Sequence, residues 1–238
     1  MTTLGTSFGT AAGDYEAGRP NYPPDAVSWL LDGVTGAVAD VGAGTGKLTA
    51  EIARQGFVVT AIDPDAGMLA ALASTLPDVP HMVGTAESVP LDDASFAAVT
   101  FGQAWHWVDV AAASAEVARV LRPGGVLGLV WNLRDESVSW VAALGEAMGS
   151  SKAESLISSD DVEVAAPFGP LEERVFRWVN PMSPQQVRAM VRSRSYYIAG
   201  SDDFRARVDA EVSAVLAGLD DGPIPMPYVT HAFRTNRP

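Results

Sequence analysis

The chain of 238 residues contains no cysteine. That excludes disulfides, thiolate zinc sites and a cysteine nucleophile. It also excludes a cluster-dependent radical enzyme, because iron–sulfur clusters are held by thiolates. Basic residues are scarce: 16 Lys and Arg stand against 29 Asp and Glu, a net charge of −13. A protein that tracks phosphates needs a basic footprint, so nucleic acid is not expected as a partner. No apolar run approaches the roughly 20 residues of a membrane span. The first 20 residues lack the basic start and apolar core of a signal peptide. A cytoplasmic protein with no membrane partner is expected. His81, His106 and His231 are scattered, without metal-ligand spacing, so no metal is expected. There is no internal repeat and no low-complexity tract.

What is present is apolar substance: 47% of residues are hydrophobic, enough for one large α/β domain with an appended cap. Pro23 and Pro24 suit the first turn of a helix running to Asp32 and stopping at Gly33, with Val27, Leu30 and Leu31 on its buried side. Ala37 to Val41 reads as a buried strand. Leu48, Ile52 and Ala53 then have helical spacing, with Gly56 as C-cap. "FVVTAI" is a β-branched strand ending at Asp63, and Met68, Leu69, Leu72 and Leu76 mark a helix closed by Pro77. "HMV" and Phe96 to Phe101 are further strands. Val110, Ala113, Val117, Val120 and Leu121 give a helix face, ended by "RPGG" before the strand "VLGLVW". Such alternation predicts a parallel sheet with helices on both faces, and ligands bind such sheets at the carboxyl ends of the strands. The glycines after Val41, Asp63, the "TAES" turn and "QAWHW" all follow strands, so they share one edge.

Past Asn132 the pattern loosens. Residues 137–162 look helical. Ser183, Pro184 and Gln186 make a capping-box helix start. Phe204, Val208, Val212, Val215 and Leu216 mark a later helix. "EERVFRWVN" and "PIPMPYVTHAF" read as two late strands that pair antiparallel at the sheet edge, the helices between them forming a cap. One domain over 1–238 is expected, with a cofactor-binding core at 36–131 and cap helices plus edge strand at 133–222.

The most informative stretch is "VADVGAGTGKLTAEIARQG", Val38 to Gly56, with Gly42, Gly44 and Gly46 between a strand and a helix. A phosphate-cradling P-loop, G-x-x-x-x-G-K-[ST], fails at two positions: Val41 stands where its first glycine belongs, and Leu48 follows Lys47. The dinucleotide fingerprint G-x-G-x-x-G is matched only in part. A glycine turn chosen for tight strand-to-helix packing is the plain structural alternative. Asp63, about 20 residues on, can accept hydrogen bonds from two ribose hydroxyls or cap the turn before Pro64. Met68 can lie against a base or sit in the core. Asp40 is harder to explain structurally, because a carboxylate at the end of a buried strand is costly without a partner. A cationic amine would compensate it, and NAD offers none there.

"DVGAGTGKLT", "AIDPDAGML", "GTAESVPLDDASFAAVTF" and "VLRPGGVLGLVWN" resemble the successive motifs of the class I S-adenosylmethionine-dependent methyltransferases, in order over about Tyr15 to Asn132. The resemblance implies a doubly wound α/β fold, a mostly parallel seven-stranded sheet in the order 3-2-1-4-5-7-6 with strand 7 antiparallel. It implies S-adenosylmethionine as cofactor. Asp40 and the loop of Gly42, Gly44 and Gly46 would face its methionine and ribose parts, and Asp63 would hold the ribose hydroxyls. Met68 would pack on the adenine, bordered by Ala86 and Glu87, and Gln103 would lie near the methionine end. "YEAGRPNYP", "QAWHWVD" and "VWNLRD" are similar to a narrower group of small-molecule methyltransferases that includes trans-aconitate-type enzymes. In that group the N-terminal segment is a lid, here residues 1–22, with Tyr15, Arg19 and Tyr22 as its counterparts. The "NPPY"-type tetrapeptide of adenine and glutamine amino-group methylases is missing.

The expected activity is therefore methyl transfer to a small-molecule acceptor, at a carboxylate or phenol oxygen. The alternatives are an NAD(P)-dependent oxidoreductase and a cofactor-binding protein without catalysis. Acceptor-side candidates are Trp105, His106, Trp107, Trp131, Tyr196 and Tyr197, with Tyr22 from the lid and Arg19 and Arg194 as anion contacts. For the aromatic residues, core packing is the competing explanation. His106 is the candidate catalytic residue: it would fix a carboxylate, or accept the proton of a phenol.

Overall fold

In the computed structural model the described residues are 19–149, 156–157, 159, 161–219 and 222–238; of Ser195 and Tyr196 only the backbone is described. Seven strands build one sheet: β1 (Val38–Val41), β2 (Val59–Asp63), β3 (His81–Val83), β4 (Phe96–Gly102), β5 (Leu121–Arg134), β6 (Glu172–Met182) and β7 (Ile224–Asn236). Their order is β3-β2-β1-β4-β5-β7-β6, as the motif resemblance implies. β1 pairs parallel with β2 and β4, β2 with β3, and β4 with β5. β7 runs antiparallel to both β5 and β6, so the late strands do form the hairpin-like edge.

Every residue of β1 and β2 is buried, as expected for central parallel strands covered on both faces. The covering helices are α1 (Pro24–Leu30), α2 (Lys47–Arg54), α3 (Ala66–Thr75) and α4 (Val110–Val120). Their starts are chemically marked. Pro24 opens α1. The Asp65 carboxylate accepts from Gly67 N–H and Met68 N–H at α3, and Asp109 accepts from Ala112 N–H at α4. Between β5 and β7 lie the cap helices α5 (Ser139–Met148), α6 (Pro184–Arg192), α7 (Ser195–Ile198) and α8 (Asp202–Ala217). They share a second core of Val141, Leu144, Met148, Val187, Met190, Val208 and Val212 against Tyr228 of β7. The Ser183–Gln186 capping box opens α6 as its sequence predicts.

Three boundaries differ from expectation. α1 ends at Leu30, with Leu31 as its C-cap. "RPGG" does not separate α4 from a later strand, because β5 begins at Leu121, directly after the helix. Leu121 pairs with Phe96, the register then shifts, and pairing resumes with Ala98 and Val126. The intervening loop is held where Gly124 N–H donates to Arg237 O. Of the helical stretch expected at 137–162, the continuous described helix ends at Met148. Gly149 leaves it at a φ of 81°. Among the described residues no helix is long and apolar enough to cross a membrane.

Candidate active site

The glycine loop lies between the carboxyl end of β1 and α2. Gly42 and Ala43 donate to Ile62 O at 2.8 and 3.0 Å. Gly44 N–H donates to Asp63 Oδ2 at 2.8 Å, and Asp65 N–H donates to Oδ1 at 2.8 Å. Two of the glycines answer local sterics. Gly42 has φ +71°, and a Cβ there would stand 2.5 Å from the Ala104 Cβ. Gly46 has φ +89°, and its Cβ would stand 2.9 Å from Leu72 Cγ on α3. Tight packing is thus part of the reason for the glycines at 42 and 46.

Asp40 sits fully buried in β1. Its Oδ2 accepts from the Thr49 hydroxyl at 2.6 Å and its Oδ1 from the Thr100 hydroxyl at 3.1 Å. Two hydroxyls therefore do part of what a cation would do for this carboxylate. They do not do all of it: desolvation outweighs them and pushes the carboxyl up to about 7. Burial also raises Asp63 above the usual carboxylate range, opposed by the Asp65 and Gly44 N–H groups.

Asp40 borders a small cleft beside the loop, and Asp63 does not line it. Its walls are Arg19, Pro20 and Tyr22 from the N-terminal segment, Asp40, Gly42, Ala43 and Thr45 from β1 and the loop, Lys47 and Leu48 from α2, and Gly102, Gln103 and Asn132 from the ends of β4 and β5. Gln103 holds a φ of 56°, unusual for a residue with a side chain. Its amide donates to Asn132 O at 2.8 Å. Asn132 ties three parts of the site together. Its Nδ2 donates to Asn21 O at 3.2 Å, and its Oδ1 accepts from the Thr230 hydroxyl at 2.6 Å. Thr230 in turn accepts from the Trp178 indole at 2.8 Å. Lys47, Thr49, Thr100 and Asn132 were not singled out from sequence. Lys47 and Thr49 lie inside the glycine motif and Asn132 inside the fourth, so adjacency to motif was the available signal.

The other expected residues are distributed as follows. Met68 is buried in the first turn of α3, and Ala86 is buried as well. Glu87 is exposed, and its carboxylate accepts from Asp109 N–H at 3.0 Å. The short turn Trp105–Trp107 follows β4. Trp105 is buried, with its indole donating to Glu163 O at 3.0 Å and its ring edge-on to Phe101. Trp107 is 38% exposed. Trp131 is fully buried and donates to His106 Nδ1 at 3.2 Å. Tyr197 is buried in the cap, its hydroxyl 3.0 Å from Asp209 of α8. Arg194 is buried between α6 and α7. None of these line the cleft that holds Asp40. Tyr15, like most of the lid segment, and the Tyr196 side chain lie outside the described residues. Among the described residues no group of three His, Asp or Glu side chains could hold a metal ion.

The profile of the family described as "Methyltransferase domain" matches residues 39–129. An uncharacterized methyltransferase of Mycobacterium tuberculosis is 45% identical over 235 residues, spanning 97% of this chain and 96% of the relative. The chain belongs to the class I S-adenosylmethionine-dependent methyltransferases. An uncharacterized methyltransferase-like protein of Schizosaccharomyces pombe is 31% identical over 97% of this chain and 95% of its own length. The fold is shared with a phosphoethanolamine N-methyltransferase of Haemonchus contortus, solved with S-adenosylhomocysteine, at a TM-score of 0.56 and 17% identity. That match covers 100% of this chain and 61% of the other. The residues that line the cleft beside the glycine loop are those to weigh for a ligand-binding role.

Proposed function

We propose that this methyltransferase transfers the methyl group of S-adenosylmethionine to an oxygen, carboxylate or phenol, of a small molecule. The observation that carries the cofactor assignment is the mixed charge of the cleft. Arg19 and Lys47 line it together with Asp40. A carboxyl that burial holds near 7 gains from an adjacent cation. An α-amino acid supplies both signs at once: its ammonium suits Asp40 and its carboxylate suits Arg19 and Lys47. The residues therefore fit the methionine end of the cofactor.

Asp63 then takes the ribose hydroxyls on lone pairs not used by Gly44 and Asp65. Met68, Ala86 and Glu87 flank the adenine, and Gln103 stands by the methionine end. Tyr15 and Arg19 complete the cofactor site from the lid. The bound cofactor supplies a methyl group already activated by its sulfonium, so the protein must align the acceptor and exclude water. Tyr22, Trp105, Trp107, Trp131, Arg194, Tyr196 and Tyr197 are proposed for the acceptor side, the buried ones acting through packing, and His106 is the proposed catalytic residue.

The test is a screen of small-molecule acids and phenols with methyl-labelled S-adenosylmethionine, followed by identification of the labelled product. A labelled ester or aryl ether is expected. Label found only in protein or nucleic acid would overturn the small-molecule assignment.

A further inference from the structure

The sheet ends on β6, and no described strand follows it there. An edge strand turns the N–H and C=O of alternate residues outward, where another strand can take them. β6 is long for an edge, 11 residues from Glu172 to Met182, and proline enters only near its end, at Pro181. One face is fastened to its own chain: Phe176 meets the Trp29 ring at 6.4 Å, and Trp178 stacks on Tyr228 at 5.2 Å. The other face carries Glu173, Val175, Arg177 and Val179. Val175 is 43% exposed and Val179 55%. Charges on an edge commonly keep other strands away, but here one register sets them in opposite pairs. In a regular antiparallel pair, opposed residues both turn their backbone groups toward the partner or both away from it. Two copies of β6 related by a two-fold axis must therefore set one residue opposite itself. Glu172, Glu173, Arg174 or Arg177 at the axis puts like charges together. Phe176 at the axis leaves Glu173 facing Val179, Trp178 leaves Arg177 facing Val179, and an axis further on runs the pairing into Pro181. Val175 at the axis sets Glu173 opposite Arg177 on both sides of it, and Arg174 opposite Phe176.

We infer that β6 is the interface for a second copy of this chain: the two strands pair antiparallel about a two-fold axis at Val175, and the sheet runs on through both copies. The pairing does not depend on the identity of the methyl acceptor. Residues 172–178 pair in full, with about six to eight backbone hydrogen bonds. His231 Nδ1 lies 2.8 Å from Glu173 Oε1 and steadies that carboxylate on the exposed face, where the second copy's Arg177 arrives. Phe176 and Trp178 already hold the strand in place from its other face, so little order is lost on pairing.

Sedimentation of the full chain from about 1 to 200 μM tests the assembly. A monomer of 24.9 kDa that gives way to a species of twice that mass is expected. A monomer at every concentration overturns the inference and leaves the edge to a strand of another protein. Glu173→Arg and Arg177→Glu each set like charges opposite on both sides of the axis, so each variant alone should dimerise at least about tenfold more weakly. Mixed together the two variants are complementary again, and a mixed dimer should form with near-native affinity. No weakening, or weakening without recovery on mixing, overturns the inference. A thiol reads the register. The chain has no cysteine, so Val175→Cys and Val179→Cys each carry a single one. Opposed Cα atoms of an antiparallel pair lie about 4.5–5.5 Å apart, within disulfide reach. Oxidation with diamide should join Val175→Cys chains into a disulfide dimer on a denaturing gel and leave Val179→Cys chains single. Cross-linking of both, of neither, or of Val179→Cys alone overturns the inference. All four substituted positions are exposed, and circular dichroism checks the fold. Should Glu173→Arg not fold, the native sedimentation and the thiol variants still decide.

Discussion

Replacing Asp40 by Asn should stabilise the protein and weaken its cofactor binding together. Asp40 is fully buried and titrates near 7 instead of 3.8. Its folded value lies above its unfolded one, so between these values the folded state binds more protons. Unfolding free energy therefore falls as pH rises through that window, and levels off above about 7. Each pH unit of the window is worth about 1.4 kcal/mol, so its width of roughly 3 corresponds to about 4 kcal/mol of destabilisation at pH 8. Asn has the shape of Asp without the charge, and the Thr49 and Thr100 hydroxyls can rotate to serve it. Imperfect hydrogen bonding returns about 1 kcal/mol per bond at most. Asp40→Asn should thus gain about 2–4 kcal/mol at pH 8, and the gain should shrink by about 2–3 kcal/mol at pH 5. Urea denaturation at both pH values measures it. The same variant should bind S-adenosylmethionine about 10- to 150-fold more weakly, the scale of one charge-assisted contact. A gain independent of pH, or a variant less stable than the native protein at pH 8, would refute the reasoning.

Three other substitutions follow from the same geometry. Asp63→Ala should weaken cofactor binding by about 1.5–3 kcal/mol in calorimetry; a folded variant that binds normally would reduce Asp63 to a support for Gly44 and Asp65. Gly42→Ala forces a left-handed backbone and an overlap with Ala104, so thermal unfolding should show a loss of about 1–3 kcal/mol. Asn132→Ala leaves the Thr230 hydroxyl and the Asn21 carbonyl without their partner. It should cost about 1–3 kcal/mol, and amide exchange should quicken across residues 19–22, where an unchanged exchange pattern would show that Asn132 does not hold the segment.

The parts of the fold legible in the sequence were those whose cause is local. β1 and β2 are apolar on both faces and announce themselves as continuous runs. α6 is announced by a capping box that needs only residues 183–186. Strand order is different, because nothing in periodicity says that β4 lies beside β1; there the motif resemblance supplied the answer. "RPGG" misled because two glycines and a proline usually end a helix, whereas Leu121 pairs with Phe96 before them. The site divides the same way. Asp40 and Asp63 stood out as carboxylates after buried strands. Thr100 did not, because its role depends on the β1–β4 register that sets Asp40 opposite it. Asn132 draws its partners from 111 and 98 residues away. Trp105 and Trp107 are alike in sequence, yet the turn buries one and exposes the other.

The most direct test of the cofactor assignment is a calorimetric titration of the full chain at pH 8 with S-adenosylmethionine, alongside NAD. The cleft of Asp40, Arg19 and Lys47 predicts one saturable site per chain for S-adenosylmethionine and no heat of binding with NAD. Comparable or tighter binding of NAD would contradict it.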